Sequence, residues 1–209
     1  SITEGATSET FNATTEAQDI LPEAFSFTAQ TDVTKGDAIT SNTVTITGIN
    51  DAAPVAIESG LFSIDGGAFQ SEAATISTGQ TLTVQLTAGD FEQEALASIT
   101  VGGTSKTFSA TTEAQDLVVD PITFTPVVDV EQGALVTSEG IIITGINDAT
   151  VIKIENGLYR IGDGEFTAEQ GTVTAGQTVT VQLSAAAAYA TETLALVTLG
   201  QVAYPFSVT

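Results

Sequence analysis

Gly79-Gln-Thr-Leu-Thr-Val-Gln-Leu86 and Gly176-Gln-Thr-Val-Thr-Val-Gln-Leu183 are two copies of one phrase, set 97 residues apart. In the first, Leu82, Val84 and Leu86 alternate with Thr81, Thr83 and Gln85; in the second, Val179, Val181 and Leu183 alternate with Thr178, Thr180 and Gln182. A period of two sends successive side chains to opposite faces, so each phrase predicts a half-buried β-strand with a Thr-rich outer face. The same step of 97 recurs on both sides. Phe11-Asn-Ala-Thr-Thr-Glu-Ala-Gln-Asp19 returns as Phe108-Ser-Ala-Thr-Thr-Glu-Ala-Gln-Asp116, and Thr47-Gly-Ile-Asn-Asp-Ala52 returns as Thr144-Gly-Ile-Asn-Asp-Ala149. Three blocks sharing one offset define a tandem repeat, and a period of this length sets the architecture before any other strand is assigned.

Further short alternating runs lie at 25–27, 44–46, 55–57, 61–64, 75–77, 96–101 and 107–111, separated by Ser59-Gly60, Asp65-Gly66-Gly67, Thr78-Gly79 and Gly102-Gly103. These separators are turn chemistry. Seven or eight short strands in each repeat predict an all-β fold, two tandem antiparallel β-sandwiches, because one such sheet must cover another to bury its apolar face. The offset changes once, to 98, between Phe108 and Phe206, which puts one inserted residue between 185 and 194. That stretch is expected to be a surface corner, with 184–196 holding at most one helical turn. Phe91 aligns there with Tyr189. Phe62, Phe69, Phe108 and Phe166 sit at alternating positions and are expected in the cores, whereas Lys153, between Ile152 and Ile154, is expected to face water.

Composition removes whole classes of chemistry. The 209 residues contain no His, Cys, Met or Trp, so Ser-His-Asp and Cys-His nucleophile systems, thiolate redox centres, the usual zinc and haem sites and disulfides are all absent. Lys and Arg number 4 against 26 Asp and Glu, a net charge of −22, which repels a phosphate backbone and argues against nucleic acid as a partner. The apolar fraction of 42% is that of a chain that buries a core rather than of an acidic disordered tail. No apolar run approaches the roughly 18 residues of a membrane-spanning helix. A Cys-free, acidic, Thr-rich chain fits export across a bacterial envelope.

The order Phe-x-Phe, Ser41-Asn-Thr-Val-Thr-Ile-Thr-Gly-Ile-Asn50, Gly60-Leu-Phe-Ser-Ile-Asp-Gly-Gly-Ala-Phe69, Gly79 to Leu86 and Ser98-Ile-Thr-Val-Gly-Gly103 resembles tandem immunoglobulin-like repeats of large exported bacterial proteins. Gly48-Ile-Asn-Asp51 is also similar to the Gly-x-Asn-Asp of bacterial cadherin-like repeats. The resemblance covers nearly the whole chain. It implies immunoglobulin-like sandwiches in an extracellular or cell-surface setting, with no catalytic residues. It would also make Phe91 and Tyr189 the packed aromatic of a sandwich corner. The second repeat departs from the pattern at Gly162-Asp163-Gly164 and in its alanine-rich corner.

One hairpin is surplus. Residues 99–111 have a C-terminal copy at 197–209 and an N-terminal copy at 2–14, while the body of the repeat occurs only twice. The N-terminal copy carries Glu4 where the others have Val101 and Leu199. Two explanations are open: residues 1–17 are the tail of a preceding domain, or they form an assembly strand, with Thr7, Glu9, Phe11, Ala13 and Thr15 alternating, that joins a neighbouring chain by β-strand addition. The expected division is thus 1–17, then repeats at 18–115 and 116–209.

Calcium is the most plausible ligand for a chain rich in carboxylates. Its candidate ligands are Glu113, Asp116, Asp120, Asn147 and Asp148 in one repeat and Glu16, Asp19, Glu23, Asn50 and Asp51 in the other. The competing reading is that these Asx side chains satisfy local backbone donors. A non-enzymatic spacer or stalk of a surface adhesin or fibre follows from the pattern, with neighbouring repeats or identical subunits as partners. A self-assembling filament subunit and a calcium-dependent carbohydrate- or surface-binding module are the alternatives.

Overall fold

The computed structural model describes residues 12–209, and the chain divides into two compact units, Ser1–Glu113 and Ala114–Thr209. The division falls two residues ahead of the expected 115/116 boundary, because Ala114 and Gln115 bond into the second unit. No helix occurs among the described residues.

The first unit contains β1 (Gln30–Val33), β2 (Ala38–Thr40), β3 (Val44–Thr45), β4 (Ala53–Glu58), β5 (Leu61–Ile64), β6 (Ala74–Ile76), β7 (Thr81–Thr87), β8 (Glu94–Val101) and β9 (Thr104–Thr112). One sheet runs β1-β9-β8-β4-β6; in the other, β7 is flanked by β2 and β3 on one side and by β5 on the other. All pairs are antiparallel except β1 with β9, which is parallel because the segment entering the body and the strand leaving it run the same way at one edge. The second unit repeats the plan with β10 (Leu135–Thr137), β11 (Ile141–Ile142), β12 (Thr150–Glu155), β13 (Leu158–Ile161), β14 (Gly171–Val173), β15 (Thr178–Ser184), β16 (Thr193–Leu199) and β17 (Val202–Val208). Its sheets are β14-β12-β16-β17 and β15 flanked by β10, β11 and β13.

The two phrases that define the repeat become β7 and β15, each the central strand of a four-stranded sheet. Leu82, Val84 and Leu86 point inward onto Phe62, Ile99 and Phe108, and Val179, Val181 and Leu183 pack with Tyr159, Val197 and Phe206. Each core is a single buried cluster of its own unit, as two facing sheets require.

A serine splices the interrupted strand in each unit. Between β2 and β3, Ser41 N–H donates to the Val84 carbonyl (2.8 Å), and Ser41 Oγ then accepts from Val84 N–H (2.9 Å) where a backbone carbonyl would in an unbroken ladder. Ser138 does the same for Val181, at 2.8 and 3.0 Å.

Several expectations are corrected. Residues 25–27 form no ladder; the segment is held by Asn42, whose Oδ1 accepts from Thr28 N–H and whose Nδ2 donates to the Ser26 carbonyl. Phe69 is 36% exposed and Phe166 only half-buried under the Arg160 guanidinium, because both lie in the turns after β5 and β13 rather than on inward strand positions. The corner after β15 is a turn with no helical turn, and Tyr189 is 87% exposed, so no packed corner tyrosine exists. Its counterpart Phe91 instead lies beneath Lys35, whose Nζ sits 4.7 Å from the ring centroid and 2.8 Å from Asp90. Gln132 replaces Lys35 in the second repeat, so the aromatic has no cation there. Of the assembly strand, Thr7, Glu9 and Phe11 lie outside the described residues. Ala13 and Thr15 are exposed and outside any strand of this chain. Lys153 is exposed between Ile152 and Ile154.

Candidate functional site: a latch at the start of each unit

The residues singled out as oxygen donors meet in one arrangement, made twice. In the first unit Asn50 Nδ2 donates to the Ala17 carbonyl (2.9 Å), Asn50 Oδ1 accepts from Asp19 N–H (2.7 Å) and Asn50 N–H donates to the Asp19 carbonyl (2.9 Å). Gln18 Nε2 donates to Asp51 Oδ2 (2.7 Å), Asp51 Oδ1 accepts from Ala52 N–H (2.7 Å), and Asp19 Oδ1 accepts from Leu21 N–H (3.0 Å). The connector 17–21 is thereby fastened to the loop 47–52.

The second unit repeats all six bonds. Asn147 bonds to Ala114 and twice to Asp116, at 2.9, 2.7 and 3.0 Å; Gln115 bonds to Asp148, Asp148 to Ala149 N–H and Asp116 to Val118 N–H, each at 2.8 Å. Asparagine is required at the centre because one amide both donates and accepts, which neither carboxylate nor apolar side chains can do.

Glycine permits the loop to approach. Gly48 has φ +83 and a Cβ there would lie 2.6 Å from Glu23 Cγ; Gly145 has φ +89 and a Cβ would meet Asp120 N at 2.7 Å. The adjoining segment is pinned by Glu23 N–H to the Thr47 carbonyl (2.8 Å), with Thr47 Oγ1 donating to Glu23 Oε2, and in the second unit by Asp120 N–H to the Thr144 carbonyl (2.9 Å).

The electrostatics follow the hydrogen bonds. The Ala52 N–H, aided by the Gln18 amide, holds the Asp51 carboxyl below its ordinary value, since both donors favour the charged form. Glu16 borders a polar hollow with Gln18, Asn50 and Asp51. Glu113 is not part of the second latch: its N–H donates to the Val33 carbonyl and its carbonyl accepts from Glu92, both inside the first unit. The Asp120 N–H bonds the Thr144 carbonyl at the start of the loop 144–149. Among the described residues no three acidic side chains converge as metal ligands would. In this arrangement the Asx side chains accept from backbone donors.

Gln18, Gln115 and the alanine carbonyls are latch members that sequence reasoning did not single out. The signal was present, in the identity of Thr-Thr-Glu-Ala-Gln-Asp in both connectors. A separate hollow of about 560 Å³ in the second unit, lined by Leu117, Val118, Val151, Leu199 and Val202 among others, contains no ionisable side chain. It offers no acid, base or nucleophile beyond hydroxyl and amide groups.

No protein-family model matches the chain, and no curated protein matches it. Solved structures with some likeness include a chimeric titin Z1Z2, 16% identical, covering 92% of this chain and 97% of that one with a TM-score of 0.36. Domains 4 and 5 of the S-layer protein SbsC are 14% identical, covering 74% and 99% with a TM-score of 0.37. The adhesin InvE of Yersinia pseudotuberculosis is 17% identical with a TM-score of 0.28; the match covers 87% of this chain and 56% of that one.

Proposed function

We propose that this chain is a structural, non-catalytic stretch of a bacterial surface or extracellular repeat protein, a spacer in an adhesin or fibre. The observation that carries the reading is the latch. Glu113 is bonded inside the first unit and Ala114 inside the second, so one folded repeat passes to the next with no unbonded connector residue between them. Repetition then builds length from units that each bury their own core. The acidic, Thr-rich surface keeps such an array soluble and discourages edge-to-edge association.

A second reading, a filament subunit joined through residues 1–17, is favoured by one observation. Asn12 to Glu16 repeat the sequence that ends β9, Ser109 to Glu113, with a single difference, yet they are exposed and form no ladder with the described residues. Light scattering and electron microscopy of the full chain and of a chain lacking residues 1–17 separate the two. Monomers from both support the spacer; fibres that vanish on deletion replace it with the filament. The same comparison is made with calcium and with chelator. A gain in thermal stability with calcium that Asp51→Asn and Asp148→Asn abolish assigns the ion to the latch, and no gain removes it from this function.

A further inference from the structure

We infer that the loop 47–52 is an acceptor for the connector sequence Ala-Gln-Asp of any copy of this repeat, so that units can follow one another in any order. The inference rests on the repeat-array reading and names the partner of its latch. The connectors 14–19 and 111–116 are identical in all six residues, and so are the loops 47–52 and 144–149. The six latch bonds agree between units to within 0.2 Å: 2.9, 2.7, 2.9, 2.7, 2.7 and 3.0 Å in the first against 2.9, 2.7, 3.0, 2.8, 2.8 and 2.8 Å in the second.

The flanking residues do not share this identity. Ile20-Leu21-Pro22-Glu23 in one unit is Leu117-Val118-Val119-Asp120 in the other, different at every position, and the latch is unchanged. Every side chain in the six shared bonds belongs to the two identical segments; beyond them Leu21 or Val118 adds a backbone N–H, Glu23 or Asp120 adds another to the Thr47 or Thr144 carbonyl, and Glu23 Oε2 accepts from Thr47 Oγ1 in the first unit. The six shared bonds therefore draw all their side chains from the six-residue connector and the six-residue loop. Features that do distinguish the units lie elsewhere: the Lys35, Asp90 and Phe91 cluster in the first, and Arg160 over Phe166 in the second.

The test exchanges the order. A chain composed of residues 1–16, then 114–209, then 15–113 keeps residues 15–113 and 114–209 intact and restores Thr-Thr-Glu-Ala-Gln-Asp ahead of each body, because Thr209 joins Thr15. Hydrogen exchange is followed at the Asp19, Asn50, Asp116 and Asn147 amides together with the thermal transition of each unit. The expected result is protection within about threefold of the native order and unchanged transitions. Protection lower by about tenfold or more at either latch, with both units still folded, overturns interchangeability and leaves the array reading standing. An unfolded unit in the exchanged chain overturns it as well. The Asn50→Ala variant, made in both orders, must lower Asp19 protection to the same extent in each; a loss confined to one order shows that the latch reads its neighbour and refutes the inference.

Discussion

Replacing Ser41 by alanine deletes one oxygen from the first unit and leaves its outline intact. Ser41 is buried, and its Oγ is the acceptor for the N–H of Val84, a fully buried residue at the centre of β7. The other bond of the hydroxyl, to the Asn42 carbonyl at 2.8 Å, reaches a group beside solvent, where water can substitute. The cost is thus set by one orphaned buried N–H, about 1–3 kcal/mol. Each kcal/mol moves the midpoint of a domain of 60–100 residues by about 4–8 °C. Ser138→Ala removes the equivalent acceptor from Val181 and carries the same cost in the second unit. Urea titration and calorimetry of the two variants measure it, with Ser71→Ala at an exposed loop position as control. A loss below about 0.5 kcal/mol, or one equal to that of the control, would mean that water or a shifted backbone satisfies Val84 N–H, and the splice argument fails.

Four further outcomes are expected. Phe206→Ala, which empties a fully buried site between the sheets of the second unit, costs about 3–5 kcal/mol by chemical denaturation. Burial holds the Tyr159 hydroxyl above its ordinary value of 10.0, so the stability it lends is complete below about pH 10 and is lost as the pH climbs through the folded value; Tyr159→Phe removes that alkaline loss, and the first unit, with Phe62 at the matching position, lacks it. In acid the sign reverses. Asp65, bonded by Thr81 N–H, and Asp90, bonded by Lys35, are held below 3.8, so their stabilisation is present above that value and is lost as the pH falls through the folded one. The second unit has Gly162 in place of Asp65, and Asp65→Gly therefore flattens the acid dependence of the first unit in pH-dependent thermal melts. Asn147→Asp keeps the acceptor but loses the donor to the Ala114 carbonyl, lowering the second unit's stability by about 0.5–1.5 kcal/mol and speeding exchange at Asp116.

The repeat, the all-β class and the inward faces of β7, β15, β8 and β16 were legible in the chain, because a period of two and a step of 97 are properties of residue order alone. So was the exposure of Lys153. The latch was half legible: its residues stood out by identity between copies. Whether oxygens at 19, 50 and 51 face an ion or a backbone N–H depends on which segments the fold brings within 3 Å, and spacing does not encode that. Phe69 and Phe166 show the same limit, since alternation counts faces only while the backbone remains a strand, and both lie past the turn where it stops. Tyr189 lacks its expected packing in a corner that carries one inserted residue and an alanine run where the first repeat has Gly89-Asp90. Nothing in the residue order marks Ser41 and Ser138; only the break between paired strands, a matter of chain pairing across more than forty residues, makes their hydroxyls part of the sheet. Local pattern determined what each segment could be, and tertiary pairing decided which polar group each side chain would satisfy, because a hydrogen bond depends on distance in space and a periodicity depends only on order along the chain.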